Sequence, residues 1–392
     1  MKTAELKVLQ IFNKYLEFGG EEACVYRISK SLQKIIHEQT YMGATQDFLG
    51  GKWGKCKIPF LMQANGKILG ELKALQQRNG YDLWQIHNVF PTLSVAVYEL
   101  AAELNVPVVQ YLHNYRLGCA SATHFRAGEV CFDCRLNSFM PAIKHSCWRG
   151  SLPASLSMVA ALKRLWKRGG IENIKAFIAI SENQKEICSR MGLPEEKIHV
   201  LHHYLDEENA NKTIPPEGGD VLFIGRLIEE KGLDLLIRAW GSIETRGRKL
   251  RIIGKGPMLD AIKNLIEGQG IRDVAIEGFL SLAQQESLWT KASFVVAPSL
   301  WHEPFGMVVL ESWQHARPVL TTNLGSFPEL ISEGVDGWLA EPNVESLAKV
   351  LQGALDSPEM YESMGVAGLA KLREKHSEKT WLKKWTEIIE AV

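Results

Sequence analysis

Residues 303–311 read Glu-Pro-Phe-Gly-Met-Val-Val-Leu-Glu, two carboxylates eight positions apart around a Phe-Gly step at which a helix can begin. The preceding run from Ala292 to Pro298 has the composition of a buried strand, which places Glu303 in the loop at its C-terminal end, where open α/β sheets bind ligands. With a rise of about 1.5 Å per helical residue, Glu311 sits roughly 12 Å along and on much the same side. Between the two acids, the backbone N–H groups of Phe305, Gly306, Met307 and Val308 and the positive end of the helix dipole suit a diphosphate. One carboxylate would accept hydrogen bonds from sugar hydroxyls and the other from a ribose. An ordinary helix start with a solvated acid on each turn has the same spacing, so the surrounding sequence has to decide.

A second group follows the strand-like run Val221 to Ile224, in Gly225-Arg226-Leu-Ile-Glu-Glu-Lys231-Gly232. A diphosphate that leaves a sugar gains negative charge as the bond breaks, so fixed cations stabilise that state more than the ground state. Arg226 would supply a planar fork of donors and Lys231 a compact point charge; two exposed cations after a strand are the plain alternative. Gly19 and Gly20, just past the first strand, let a backbone approach a phosphate closely at a helix start, and are equally a simple turn signal. His113 ends the apolar run Val108 to Leu112 and by position alone reads as a structural residue. The loop Gly254-Lys-Gly256-Pro does not complete a G-x-G-x-x-G dinucleotide motif, and no acid follows at ribose spacing, which argues against an NAD-linked oxidoreductase. No Asp-x-Asp occurs in the chain, so no catalytic metal is expected.

Four of the seven cysteines, Cys119, Cys131, Cys134 and Cys147, form a C-x11-C-x2-C-x12-C pattern. Four thiolates would suit a structural zinc site; reduced, unliganded thiols are the alternative. Between residues 144 and 175 stand seven Lys or Arg and one acid, Glu172. Met158, Leu162, Leu165 and Trp166 share a helical face there, flanked by Lys163, Arg164, Lys167 and Arg168. That is the composition of a helix on an anionic membrane surface, and also of an amphipathic helix against a core.

The elements that must position these residues alternate between strand and helix throughout. Lys7 to Phe12, Tyr81 to His87, Val106 to Leu112, Ala176 to Ile180 and Ile198 to Leu201 read as strands, with helical patterns such as Glu21 to Lys34, Thr92 to Leu104 and Glu182 to Arg190 between them. A second series has strands at Val221 to Ile224, Leu250 to Ile253, Val274 to Glu277, Phe294 to Ala297 and Pro318 to Thr321. This is the α/β pattern of mostly parallel sheets. The polar stretch Glu207 to Asp220, with Pro215-Pro216 and Gly218-Gly219, reads as the joint. The expected domains are therefore 1–206 and 207–376, followed by a helix over 377–392 that packs on either domain.

With 392 residues the chain exceeds one hydrophobic core, and 46% hydrophobic with 23% charged residues is ordinary for a globular protein. No apolar run reaches the roughly 18 residues that span a bilayer, and the N-terminus lacks a secretory pattern. The expectation is a cytoplasmic protein, free or peripheral at the inner face of the plasma membrane. Net charge is zero, but residues 1–200 carry 25 Lys and Arg against 17 Asp and Glu, while the remainder carries 20 against 28. A basic first half favours an anionic contact such as a lipid head group or a lipid-linked phosphate.

The ordered set Gly19-Gly20-Glu21-Glu22, His113-Asn114-Tyr115, Gly225-Arg226-Leu227 with Lys231-Gly232, Gly254-Lys255-Gly256-Pro257 and the Glu303/Glu311 pair resembles the retaining family 4 glycosyltransferases of the GT-B class. The resemblance implies two doubly wound Rossmann-like domains facing across a cleft, and a metal-independent hexosyltransferase that moves a sugar from a nucleotide-diphosphate donor to a hydroxyl acceptor. It implies that His113 contacts the donor sugar, that Gly19 and Gly20 line the sugar-phosphate side, and that Glu22 orders that loop. Arg226 and Lys231 would neutralise the leaving group. Gly225, Gly254, Gly256 and Gly278 would border the nucleotide through backbone. The implied acceptor is a glycan or lipid-linked precursor in cell-envelope or exopolysaccharide assembly, with no nucleic acid partner. The chain departs from the family where many members have a Pro-Asn-Gly turn and this one has Leu201-His-His-Tyr-Leu-Asp206. A nucleotide-sugar epimerase of the same fold and a non-catalytic glycan- or nucleotide-binding subunit are the alternatives.

Overall fold

The structure, a computed structural model, describes residues 5–17, 19–50, 54–134, 138–205 and 213–392. In chain order its strands are β1 (Lys7–Lys14), β2 (His37–Ala44), β3 (Leu83–Asn88), β4 (Val108–Tyr111), β5 (Phe125–Arg126), β6 (Glu129–Val130), β7 (Ile174–Ala179), β8 (Ile198–Val200), β9 (Asp220–Ile224), β10 (Leu250–Ile253), β11 (Val274–Gly278), β12 (Ala292–Ala297), β13 (Val319–Thr322) and β14 (Gly337–Ala340). Two six-stranded sheets result, ordered β2-β1-β3-β4-β7-β8 and β11-β10-β9-β12-β13-β14, and a two-stranded hairpin β5-β6. The pairings in both large sheets are parallel. Parallel neighbours need crossover connections, and helices cover both sheet faces as a result. Strands inside such a sheet are buried on both sides, so they read as continuous apolar runs; every residue of β3 and of β12 is buried.

β2 escapes that signal. It pairs on one side only, most of its residues are partly exposed, and its sequence His-Glu-Gln-Thr-Tyr-Met-Gly-Ala contains no apolar run. The chain divides into two compact units: residues 1–124, 131–202 and 382–392 in the first, and 125–130 and 203–381 in the second. The expected boundary at 206/207 lies outside the described residues, as does the start of the polar joint. The last helix, Glu378–Glu390, contributes to both units. In the second, Trp381 packs on Tyr204 with ring centroids 5.0 Å apart. In the first, Trp385 is fully buried and its indole N–H donates to Gln85 Oε1 at 2.8 Å.

The helix Leu152–Lys167 buries Met158, Val159, Leu162 and Leu165 in the first unit. Its Trp166 Nε1 donates to the Leu117 carbonyl at 2.9 Å, and Arg164 makes a two-point ion pair with Glu99 at 2.7 and 2.8 Å. The face with membrane-like composition is therefore a core face. Exposed apolar side chains on this helix are Leu152 and Leu156.

Candidate functional site

In the second unit, β9 and β12 are neighbours, so the loops after them emerge side by side at the C-terminal edge. Lys231 closes a 3-10 turn, Glu229–Lys231, and Gly232 follows at φ +68°. A Cβ at Gly232 would lie 1.9 Å from the Pro298 carbonyl oxygen, so only glycine allows the two loops to meet. The Leu300 N–H donates to the Glu230 carbonyl at 2.8 Å and stitches them.

The stitch carries Lys231 to Glu303. Lys231 Nζ, Trp301 Nε1 and Ser299 Oγ donate to Glu303 Oε2 at 2.6, 3.0 and 3.1 Å. The ammonium also lies 5.7 Å from the Trp301 ring centroid, a favourable cation–π position. Glu303 is buried, and three convergent donors hold its carboxylate in one orientation. Among the described residues, Oε1 receives no protein donor. Sequence reasoning missed Ser299 and Trp301. The signal was available, since a serine and a tryptophan in the short loop between a buried strand and Glu303 are donors within reach.

Beyond Glu303 the chain turns through Gly306, at φ +84°, into the helix Met307–Gln314. A Cβ at Gly306 would meet the Phe327 ring at 2.4 Å. No side chain caps this helix start, so the first N–H groups are offered to whatever meets them. Phe305 is buried edge-on against His203 at 5.3 Å between centroids, and its carbonyl accepts from Ser326 Oγ at 2.7 Å. Its side chain thus anchors the loop. Met307, Val308 and Glu311 are half-buried on the helix.

Arg226 follows β9 and is exposed. The loops after β9, β10 and β11 are joined through backbone: the Gly225 N–H donates to Ile253, Gly254 to Gly278 and Leu227 to Lys255, at 3.0, 2.8 and 3.0 Å. A Cβ at Gly254 would meet the Gly225 carbonyl at 1.8 Å and one at Gly256 the Leu227 carbonyl at 2.3 Å. Loop-to-loop packing accounts for both glycines. Gly19 and Gly20 differ, because no atom lies within 4 Å of an added Cβ at either.

In the first unit, β1, β3 and β4 are adjacent and bring their ends together. His113 stacks on Tyr111 and His87, with centroids 4.8 and 5.1 Å apart, and its Nε2 lies 2.9 Å from His87 Nδ1. Burial pushes His113 down to about 3 and holds His87 well below its ordinary range, so both rings are neutral at physiological pH. The two histidines, Asn88, Tyr111, Asn114 and Arg116 line a small pocket. Beside it, Glu21 Oε2 accepts from Tyr15 Oη at 3.0 Å and Asn114 Nδ2 at 3.1 Å. Burial raises this carboxyl to about 7 against the pull of those donors and of the Arg116 charge. Glu22 is buried and pairs with Lys14 at 3.3 Å.

Family models match along most of the chain: "Glycosyltransferase Family 4" over residues 18–209 and "Glycosyl transferases group 1" over residues 206–370. The chain belongs to this glycosyltransferase family. Its curated relatives include an uncharacterized glycosyltransferase of Methanocaldococcus jannaschii, 34% identical over 44% of this chain and 48% of that one. Another is the alpha-D-kanosaminyltransferase of Streptomyces kanamyceticus, 26% identical over 50% and 55%. The chain thus spans about half the length of the curated relatives it matches. Among solved structures, Anabaena HepE in complex with UDP and glucose superposes with a TM-score of 0.71 at 18% identity, covering 99% of this chain and 100% of that one. The apo lipopolysaccharide outer core galactosyltransferase WaaB gives 0.68 at 18%, covering 98% and 99%. These likenesses establish the GT-B fold, with its two parallel-sheet α/β domains.

The four cysteines of this family member all fall in the first unit. Burial, together with the neighbouring Cys119, Cys147 and Cys131, pushes the Cys134 thiol up to about 12. They share a neighbourhood, yet among the described residues no three His, Cys, Asp or Glu side chains converge as metal ligands. No helix among the described residues is long and apolar enough to cross a membrane.

Proposed function

We propose that this chain is a retaining glycosyltransferase that moves a hexosyl group from a nucleoside diphosphate to a hydroxyl acceptor, without a divalent cation. The supporting observation is the Lys231–Glu303 pair, 2.6 Å apart, at the start of an uncapped helix. Glu303 Oε1 accepts from sugar hydroxyls. The N–H groups over residues 305–308 and the helix dipole receive the diphosphate, and Glu311 receives the ribose. Lys231 and Arg226 stabilise the charge that grows on the leaving group, which favours the transition state over the bound donor. Acceptor attack comes from the face the diphosphate leaves, and a phosphate oxygen takes the acceptor's proton, so both stereochemistry and charge are conserved. His113, neutral, holds a sugar hydroxyl near the reacting carbon.

The UDP and glucose named for the HepE complex make UDP-hexoses the first donors to test. The acceptor is a glycan or lipid-linked precursor in envelope or exopolysaccharide assembly, in keeping with the "Putative colanic acid biosynthesis glycosyltransferase WcaL" of Salmonella typhimurium among the relatives. The first unit also offers an anionic-surface contact: the helices Gly54–Gln63 and Met140–Lys144 pack on Leu152–Lys167, and the group exposes Phe60, Met140, Leu152 and Leu156 beside Lys57 and Lys144.

The deciding experiment screens UDP-, GDP- and ADP-sugars by thermal shift, since a ligand of the native state stabilises by mass action. The best donor is then incubated with a hydroxyl acceptor, with and without EDTA. The expected product keeps the donor's anomeric configuration and forms equally in chelator. Inverted product, or activity lost to EDTA and restored by Mg or Mn, overturns the mechanism. An isomerised sugar with no acceptor present would identify an epimerase, and a thermal shift without turnover a binding subunit.

A further inference from the structure

The first unit buries a row of polar side chains that the proposed chemistry does not use. Gln10 lies in the middle of β1, and Gln85 and His87 lie in β3, all buried where parallel strands carry apolar residues. A buried polar group costs about 1–3 kcal/mol unless it is hydrogen-bonded. These are bonded to one another in a chain whose direction can be worked out donor by donor.

Two groups of fixed polarity bracket the chain. At one end is the Glu38 carboxylate, which only accepts. Its Oε1 takes Gln10 Nε2 at 2.7 Å and the Thr40 hydroxyl, and its Oε2 takes Ser29 Oγ at 2.9 Å and Gln33 Nε2 at 2.8 Å. The Gln10 amide therefore points its nitrogen at Glu38 and its oxygen inward. At the other end is the Trp385 indole N–H, which only donates. It gives its hydrogen to Gln85 Oε1 at 2.8 Å, so Gln85 Nε2 is the donor to Gln10 Oε1 at 3.1 Å.

His87 Nε2 lies 2.7 Å from that same Gln10 oxygen and 3.3 Å from Gln85 Nε2, and the shorter contact decides its role. An amide oxygen cannot donate, so His87 Nε2 carries the hydrogen. The ring is neutral, which leaves His87 Nδ1 as an acceptor. Its partner at 2.9 Å, His113 Nε2, must then be the donor. We propose that the relay Glu38–Gln10–His87 fixes His113 as its Nε2–H tautomer, so that His113 Nδ1 is an acceptor and any group meeting it has to donate a hydrogen. His87, Gln10 and Glu38 are positioning residues that act through His113, and Trp385 of the last helix locks the neighbouring amide.

This deepens the proposed function and rests on its reading that His113 meets a sugar hydroxyl. A tautomer fixed in advance gives the hydroxyl one permitted direction for its hydrogen. The opposite tautomer of His113 would set two ring-nitrogen lone pairs against each other at His87 Nδ1 and break the row. Protonation of His87 would set its Nδ1–H against the His113 Nε2–H, and the downward shift of His87 is consistent with the relay.

The test is long-range 1H–15N correlation on the full chain labelled at histidine, with His113 assigned by loss of its signals in His113→Asn. The expected spectrum shows His113 neutral and protonated at Nε2 between pH 6 and 8. His87→Phe removes the acceptor, and Gln10→Met removes the amide that orients His87. Each should convert His113 to a mixture of tautomers and lower kcat about tenfold, one hydrogen bond's worth, with little change in donor KM. His87→Gln, which keeps an acceptor oxygen, should preserve the Nε2–H signal and most of kcat. An Nδ1–H or protonated His113 in the unmodified chain overturns the relay, as does a tautomer unmoved by both His87→Phe and Gln10→Met. If the tautomer shifts while kcat stays, the relay stands and the sugar contact of His113 falls. Because the two variants lie on different strands, a folding failure in one leaves the other to decide.

Discussion

Lys231 Nζ sits 2.6 Å from Glu303 Oε2, across two loops separated by 72 positions in sequence. The cation and the carboxylate are one unit, and Ser299 and Trp301 complete it. Lys231 therefore has two tasks, orienting Glu303 and meeting the charge of a leaving group.

That coupling is measurable. Lys231→Met leaves a buried carboxylate with one donor fewer and should destabilise the fold by about 1–3 kcal/mol, with turnover lowered at least tenfold. Glu303→Gln should cost a similar amount, and the double variant less than the sum, because neighbours that share a contact are not additive. Urea unfolding and initial rates of all four proteins check this; strict additivity would show that the pair is incidental.

Two kinds of glycine should behave oppositely. Gly306→Ala meets both a left-handed backbone and the Phe327 ring and should cost about 2 kcal/mol or more. Gly20→Ala opens a helix in clear space and should change stability by about 0.5 kcal/mol or less. If the loop after β1 approaches a sugar-phosphate, Gly20→Ala still raises donor KM. Melting curves and donor titrations separate the two effects.

Glu21 gives the first unit a pH dependence of defined sign. Its carboxyl is raised from 4.5 to about 7, so the folded state holds this proton more tightly than the unfolded state does. This contribution to stability is present in full below pH 4.5 and is lost as pH rises from there through about 7. Glu21→Gln should remove the slope and be at least as stable as the unmodified chain at pH 8. Melting temperature against pH for both proteins tests it, and parallel curves refute it.

Surface attachment, if it uses the exposed apolar group, should respond to Phe60→Asp and Leu156→Asp together. Sedimentation with vesicles containing phosphatidylglycerol should fall several-fold in that variant and in high salt. Equal recovery with neutral vesicles would remove the anionic partner.

Much of this protein is legible in sequence because parallel strands buried on both faces leave continuous apolar runs, as from Phe294 to Ala297 and from Val108 to Leu112, with loops after them carrying glycine, lysine and acid. The family motifs and the Glu303/Glu311 spacing are visible for the same reason, being local. β2 is not legible, since an edge strand needs no apolar run. The helix over 152–167 shows the converse: its composition fits a membrane or a core, and only tertiary packing buries that face inside the first unit. The four cysteines likewise are brought into one neighbourhood by the fold, which spacing alone does not determine. The Glu38–Gln10–His87–His113 row joins residues from separate strands, with Trp385 reaching Gln85 across 300 positions. Hydrogen-bond direction depends on which atoms meet in space, and the sequence order of those residues carries no record of it.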